Sequence, residues 1–332
     1  MSEGSLVEAW SGRTLGGKYR VVRLLGYGGM GSVYEAEDVA GGASVAVKIL
    51  DREWVKDEVA AGRFAREARA ASAVASEHIV RVLDGGTEDG CPYLVMELLR
   101  GEDLGARLRR SRRVPLDEAL HVVEQVLRGL VAAHGAGIVH RDLKPDNVLL
   151  VRRGDDASFA EIVDFGMSKI ERPAGSTAPL PLTKRGTVIG TPLYMAPEQA
   201  RASANVDGRA DLYSLGAILF ECLAGRPPHT GETYEQILLS ICMDAAPDVR
   251  RWAPDVPDDV AALVARALET EPDDRFQSAR EMLKAVRALG PTAPVDPRLA
   301  RRRARTRMVV AGILAMLAGA VVTLLAVALV GR

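Results

Sequence analysis

Eight consecutive residues, His140-Arg141-Asp142-Leu143-Lys144-Pro145-Asp146-Asn147, place an acid, a cation and an amide close together along the chain. Asp142 could orient a substrate hydroxyl and take its proton. Lys144 could contact a phosphate, and Asn147, five residues beyond Asp142, could hold Mg²⁺. Those are the parts that phosphoryl transfer requires. Their meaning depends on whether the elements that must position them occur in order elsewhere in the chain.

Upstream lies Leu25-Gly26-Tyr27-Gly28-Gly29-Met30-Gly31. Taken alone, such a run also suits dinucleotide folds and ordinary hairpins. A dinucleotide fingerprint should open a helix and meet an acidic residue roughly 20 positions later. Here Ser32 to Ala36 and then Gly41-Gly42 read as strand, turn, strand. The next strand, Val45 to Leu50, is apolar except for Lys48. A lysine buried in a strand is costly unless paired, so Lys48 is either an edge residue or a phosphate contact held by a carboxylate.

Taken together, these motifs resemble the protein kinase family. Lys144, two residues after Asp142, matches its serine/threonine-specific catalytic loop. The resemblance implies that Lys48 contacts the α/β-phosphates of ATP and pairs with Glu67, in the helical stretch from Val59 to Ala75. It also implies a phosphate-covering loop from Gly26 to Gly31. Leu94 to Leu99 becomes the hinge, with Met96 at the back of the adenine pocket and Glu97 and Leu99 offering backbone groups to the base. Val33, Ala46 and Leu149 would form the pocket's apolar walls. Asp164-Phe165-Gly166, delivered by the strand Ala160 to Val163 and lying 17 residues beyond Asn147, becomes the second Mg²⁺-ligating element. Mn²⁺ is the alternative ion.

A Ser/Thr/Pro-rich stretch, 167–195, then leads to Ala196-Pro197-Glu198 and resembles an activation segment. Thr191 would contact Asp142 and Lys144. Thr183 and Thr187 are the regulatory phosphosite candidates, with Arg141 as the expected phosphate partner. Asp211 matches the aspartate that braces the catalytic loop, and Arg275 the arginine that pairs with Glu198. The resemblance covers roughly residues 19–288 and is nearest to bacterial eukaryotic-like (Hanks-type) kinases. It implies an α+β, two-lobed fold: a strand-rich N-lobe to about residue 99, a helical C-lobe to 288, and nucleotide between them.

Composition agrees. At 332 residues and 48% hydrophobic, the chain can fill two lobes with something left over. A net charge of −1 gives no case for nucleic acid. Cys91, Cys222 and Cys242 have neither metal spacing nor an even disulfide count, and read as reduced, buried fillers. Residues 1–18 form a polar extension with no signal-peptide pattern.

The C-terminal region has its own logic. Prolines at 291, 294 and 297 mark a linker, 289–307, in which six arginines crowd between 298 and 307. Residues 308–330 then run 23 positions without a charge, which as a helix is about 34 Å, enough to cross a bilayer. Arginines directly before the span predict that the preceding domain stays cytoplasmic, in the inner membrane of a bacterium, with the cluster holding anionic headgroups. Ala311, Ala315, Gly319 and Thr323 give a small-residue face suited to a homodimer. Many membrane-bound relatives carry an extracellular sensor after such a span, whereas Gly331 and Arg332 alone follow it here.

The expectation is therefore a tail-anchored kinase acting on serine or threonine of protein substrates and on its own activation segment. A catalytically dead membrane scaffold is the contrasting reading, opposed by intact Lys48, Asp142, Asn147 and Asp164. Input from a membrane partner contacting the last helix can coexist with the active kinase.

Overall fold

The computed structural model describes residues 10–27, 31–55, 74–164, 192–203 and 205–290. Six strands make the first sheet: β1 Thr14–Leu15, β2 Tyr19–Tyr27, β3 Gly31–Asp38, β4 Ser44–Leu50, β5 Val82–Glu88 and β6 Cys91–Glu97. Their order is β1-β2-β3-β4-β6-β5, and every neighbouring pair is antiparallel. The two ends of the glycine run lie in paired antiparallel strands, with Gly26 facing Val33 and Tyr27 facing Ser32, as a hairpin requires. Gly31 has a steric reason to be glycine, since a Cβ there would lie 2.3 Å from the Ile49 carbonyl oxygen.

β4 is central, flanked by β3 and β6, and apart from Ser44 its residues are all buried. That removes the edge-strand explanation of Lys48. One face of the sheet buries Tyr34, Val45, Val47, Ile49 and Val95. Trp10 and Leu15 belong to the same cluster, so the lobe begins upstream of Tyr19. The opposite face groups Ala46, Met96, Leu50 and Leu94 with half-buried Val33, Leu99 and Val163. This second face looks toward the C-lobe.

The C-lobe is mainly helical, as expected beyond Glu102, with a small sheet on its upper surface that includes the strand expected before Asp164. Strands β7 Gly101–Asp103, β8 Val148–Arg153 and β9 Asp156–Ile162 pair antiparallel in that order. Short helix α1, Arg52–Val55, belongs to the N-lobe; α2 Leu104–Ser111 follows β7 directly, its first turn capped by Asp103 accepting from the Ala106 N–H. α3, Leu116–Gly135, is buried along most of its length. α4 is Pro197–Ala200 and α5 is Arg209–Ala224, whose residues are nearly all buried, as expected of an apolar helix passing through the centre of a core. Gly225 ends α5 at φ 77°, with its N–H returning to the Glu221 carbonyl. α6 Tyr234–Met243, α7 Asp258–Ala267 and α8 Ala279–Ala288 close the lobe. One cluster of buried side chains runs from Leu104 to Val286 through α3, β8, β9 and α5. Cys91 and Cys222 are buried as expected, whereas Cys242 is half-exposed.

Among the described residues, no helix is long and apolar enough to cross a membrane. The linker, the span at 308–330 and its small-residue face lie outside the described residues, as do residues 1–9.

Candidate active site

Lys48 is only 4% exposed, and its Nζ donates to Asp164 Oδ1 at 2.8 Å. This ion pair joins the middle of the N-lobe sheet to the residue that ends the β9 segment. Desolvation raises the Asp164 carboxyl, but the Lys48 ammonium and its hydrogen bond outweigh that, with a smaller contribution from Lys144. The group is held below the usual carboxylate range and stays ionised. Asp164 has φ 60°, a backbone conformation that a non-glycine residue adopts only when its surroundings enforce it.

The catalytic-loop candidates meet directly below. Lys144 Nζ donates to Asp142 Oδ2 at 2.8 Å. The Asn147 side-chain N–H donates to the Asp142 carbonyl at 2.8 Å, which aims its amide oxygen elsewhere. The Asn147 carbonyl accepts from Val163 N–H at 3.0 Å. His140, fully buried, completes the arrangement. Its Nδ1 accepts from the Asp142 N–H at 3.2 Å, so the proton resides on Nε2, which donates to the Val163 carbonyl at 3.2 Å. These four bonds close a ring through His140, Asp142, Asn147 and Val163. The position of the acid is thereby tied to both oxygen-bearing side chains, Asn147 and Asp164.

α5 holds that ring from beneath. Asp211 is fully buried in its first turn, accepting from His140 N–H at 2.8 Å, Arg141 N–H at 2.7 Å and His134 Nε2 at 2.8 Å. The helix N-terminus adds its positive end to those donors. Arg141 sits at φ 65°, held on both sides, because its carbonyl accepts from Gln199 Nε2 at 2.8 Å. Arg275 is fully buried and forms a two-pronged pair with Glu198, at 2.8 and 2.7 Å. Its remaining donors go to the Glu269, Thr270 and Arg209 carbonyls. Such satisfaction is what allows a guanidinium to be buried at all.

The nucleotide-pocket residues fall into place unevenly. Val33, Ala46, Met96 and Leu99 share one apolar cluster, while Leu149 lies half-buried on β8. The Glu97 N–H is taken by the Arg81 carbonyl at 2.9 Å, so only its carbonyl could serve a base. Leu25 and Tyr27 are exposed, at 41% and 57%, in keeping with a loop that covers a ligand. Gly28, Gly29, Met30, Glu67, Thr183, Thr187 and Thr191 lie outside the described residues, so the Lys48–Glu67 pair and the Thr191 contacts do too.

Sequence reading gave no role to His140, His134 or Gln199, each of which positions the loop through a hydrogen bond. It also passed over Asp146, which pairs with Arg109 at 3.0 Å, and Tyr194, whose hydroxyl donates to Glu221 at 2.5 Å. Histidine directly before Arg141-Asp142 was the available signal for the first. The others are separated from their partners by 27 to 77 residues, and nothing local announces them.

The family model for the protein kinase domain matches residues 19–286. The chain belongs to the protein kinase family. Kinase PknH of Mycobacterium bovis is 40% identical over 270 residues, 81% of this chain and 44% of that protein. Kinase pkn3 of Myxococcus xanthus is 38% identical over 288 residues, 85% of this chain and 52% of that protein. Both are serine/threonine-protein kinases, and the chain spans about half their length. Among solved structures, the PknI kinase domain of Mycobacterium tuberculosis superposes with a TM-score of 0.65 at 31% identity, covering 84% of this chain and 98% of that one. The kinase domain here is thus of the bacterial, Hanks-type serine/threonine class, with a strand-rich N-lobe over a helical C-lobe.

Proposed function

We propose that the chain is an active protein kinase that transfers the γ-phosphoryl of ATP to serine or threonine hydroxyls of proteins, its own activation segment among them. The observation that carries this reading is the closed ring through His140, Asp142, Asn147 and Val163. It supports a working enzyme because a scaffold would have no use for an acid so tied to two ligand-bearing residues.

Asp142 is the base that aligns the acceptor hydroxyl and takes its proton as the new P–O bond forms. Lys144, already on the Asp142 carboxylate, is placed to offset charge on the moving phosphoryl group. Lys48 is the ammonium for the α/β-phosphates, and its pairing with Asp164 keeps it extended in the cleft. The donor set suits Mg²⁺: Asn147 offers an amide oxygen, because its N–H is spent on the Asp142 carbonyl, and Asp164 offers an ionised carboxylate. Bound there, the ion would neutralise phosphate charge. Val33, Ala46, Met96, Leu99 and Leu149 exclude water around the base, and the Gly26–Gly31 hairpin covers the phosphates.

The activation segment, with Thr183 and Thr187 as acceptors and Arg141 as phosphate partner, belongs to the same reading, supported by its sequence. So does anchoring of the cytoplasmic domain in the bacterial inner membrane through residues 308–330, with the arginine cluster against anionic lipid and a homodimer through the small-residue face. Phosphoamino-acid analysis after incubation with labelled ATP tests the chemistry. Phosphoserine or phosphothreonine lost on chelation with EDTA is the expected result, and no label in folded, ATP-binding protein would refute it. Resistance of the full chain to carbonate extraction from membranes tests the anchor.

A further inference from the structure

Four arginines from three separate parts of the chain converge on one corner of the C-lobe. Arg226 and Arg251 lie over the ring of Trp252, their guanidinium carbons 4.8 and 5.1 Å from its centroid. Arg113 donates to the Trp252 carbonyl. Arg112 and Arg113 run against Gly225, whose added Cβ would stand 2.9 Å from the Arg112 carbonyl oxygen, and this brings them beside Arg226. Arg112, Arg113 and Arg251 are exposed.

None of the four is in an ion pair among the described residues. Their neighbour Arg250 shows the contrast, for it is spent on Asp248 and Asp258. Arg226 bonds the Thr230 hydroxyl at 2.9 Å, leaving its charge uncompensated. Arg112 also occupies a helix C-cap at φ 59°, where glycine would be unstrained. In a chain of net charge −1, such a concentration is local and invites an anion.

We propose that Arg113, Arg226 and Arg251, set around Trp252, together with exposed Arg112 beside them, bind the anionic headgroups of a lipid bilayer. The choice of a bilayer rests on the anchoring reading above. Arg287, near the end of α8, pairs with Glu124 at 2.9 Å, and Glu124 lies eight residues, about 12 Å of helical rise, beyond Leu116 at the start of α3, which follows Arg113 by three residues. Helix α3 thus runs from the arginine corner to the helix that ends the lobe. The 18 residues from Gly290 to Met308 span at most about 60 Å, a tether that lets this corner of the lobe reach the membrane. Docking there would fix the orientation of the catalytic cleft relative to the bilayer.

Both lobe cores close within residues 10–290, and the related PknI kinase domain forms a structure by itself, so residues 1–290 serve as the test protein. Cosedimentation is measured with vesicles of phosphatidylcholine alone and with 30% phosphatidylglycerol. Binding to the anionic vesicles only is expected. The pair Arg112→Glu and Arg251→Glu should weaken it at least 25-fold, at about five-fold per cation lost. The charge-matched pair Arg280→Glu and Lys284→Glu, exposed on α8, should change it less than two-fold. No binding to anionic vesicles, equal loss in both pairs, or tight binding of phosphothreonine peptides in place of vesicles would each overturn the proposal. Because this protein lacks residues 308–330, any such failure leaves the anchor to its own extraction test.

Discussion

Lys48 Nζ and Asp164 Oδ1 stand 2.8 Å apart across the interlobe cleft, one from the centre of β4 and the other just past β9. The pair has two consequences. It gives a buried lysine a carboxylate partner in an otherwise apolar stretch of strand, and it keeps a carboxylate ionised in a desolvated setting. Each group makes the other's burial tolerable.

Replacing Lys48 by Met removes the ammonium but keeps the stem's volume. The loss of phosphate-directed charge should lower kcat at least 100-fold. The Asp164 carboxyl, relieved of its cation, should titrate upward. Steady-state phosphotransfer and NMR titration of the carboxyl measure these; unchanged kcat would remove Lys48 from the machinery.

Asp211→Asn offers one good acceptor where two backbone N–H groups and His134 converge. Stability should fall by about 2 kcal/mol, because a buried donor loses its partner. kcat should fall at least ten-fold while KM for ATP changes less than about two-fold, since the pocket's walls come mainly from the N-lobe. Denaturant midpoints and initial rates separate the two effects. A larger change in KM than in kcat would contradict the bracing role.

The N-lobe depends on residues upstream of Tyr19. Trp10 is 7% exposed, packed in the same core as Leu15 and Tyr34, with Arg13 stacked 4.6 Å above its ring. Trp10→Ala should cost about 3 to 5 kcal/mol by urea denaturation. A chain begun at Tyr19 should lose at least as much, since β1 and its pairing to β2 go with it.

Acid sensitivity should trace partly to Glu102. Its hydrogen bond to Arg110, opposed by partial burial and aided by Arg107, holds the carboxyl at about 2 against an ordinary 4.5. Its folded value is the lower one, so its contribution is complete above pH 4.5 and disappears as pH falls from there toward 2. With the side chain 27% exposed and so partly screened, that contribution is on the order of 1 to 2 kcal/mol. Glu102→Gln should flatten the stability profile between pH 5 and 3, measured by urea midpoints. A variant as acid-sensitive as the parent would assign the effect elsewhere.

How much of this could be read from the chain alone depends on the range of the interaction. Asp142, Lys144 and Asn147 lie within six residues, and the loop's own geometry brings them together, so their grouping was visible. Lys48 betrayed itself by its cost, a charge in a run of Val, Ala, Ile and Leu. Asp211 and the Arg275–Glu198 pair were legible only through resemblance, because 70 or more residues separate the partners. His140's two bonds depend on a tautomer set by backbone groups from two segments, which no pattern of side chains encodes. Trp10 was missed because an isolated aromatic in a polar stretch has no periodicity. The arginine corner required the fold itself, since Arg113, Arg226 and Arg251 meet only once α5 has carried Gly225 against Arg112.

The most direct test of the account is ATP/Mg²⁺-dependent autophosphorylation of residues 1–290 beside Asp142→Asn, with sites mapped by mass spectrometry. Asn is nearly the same size and keeps the loop's backbone bonds, but it cannot take the hydroxyl proton. Phosphate on Thr183 or Thr187 in the parent, reduced at least 100-fold in the variant, is the predicted result. Equal incorporation by the two proteins, or none by a parent that folds and binds ATP, would contradict an active kinase built around Asp142.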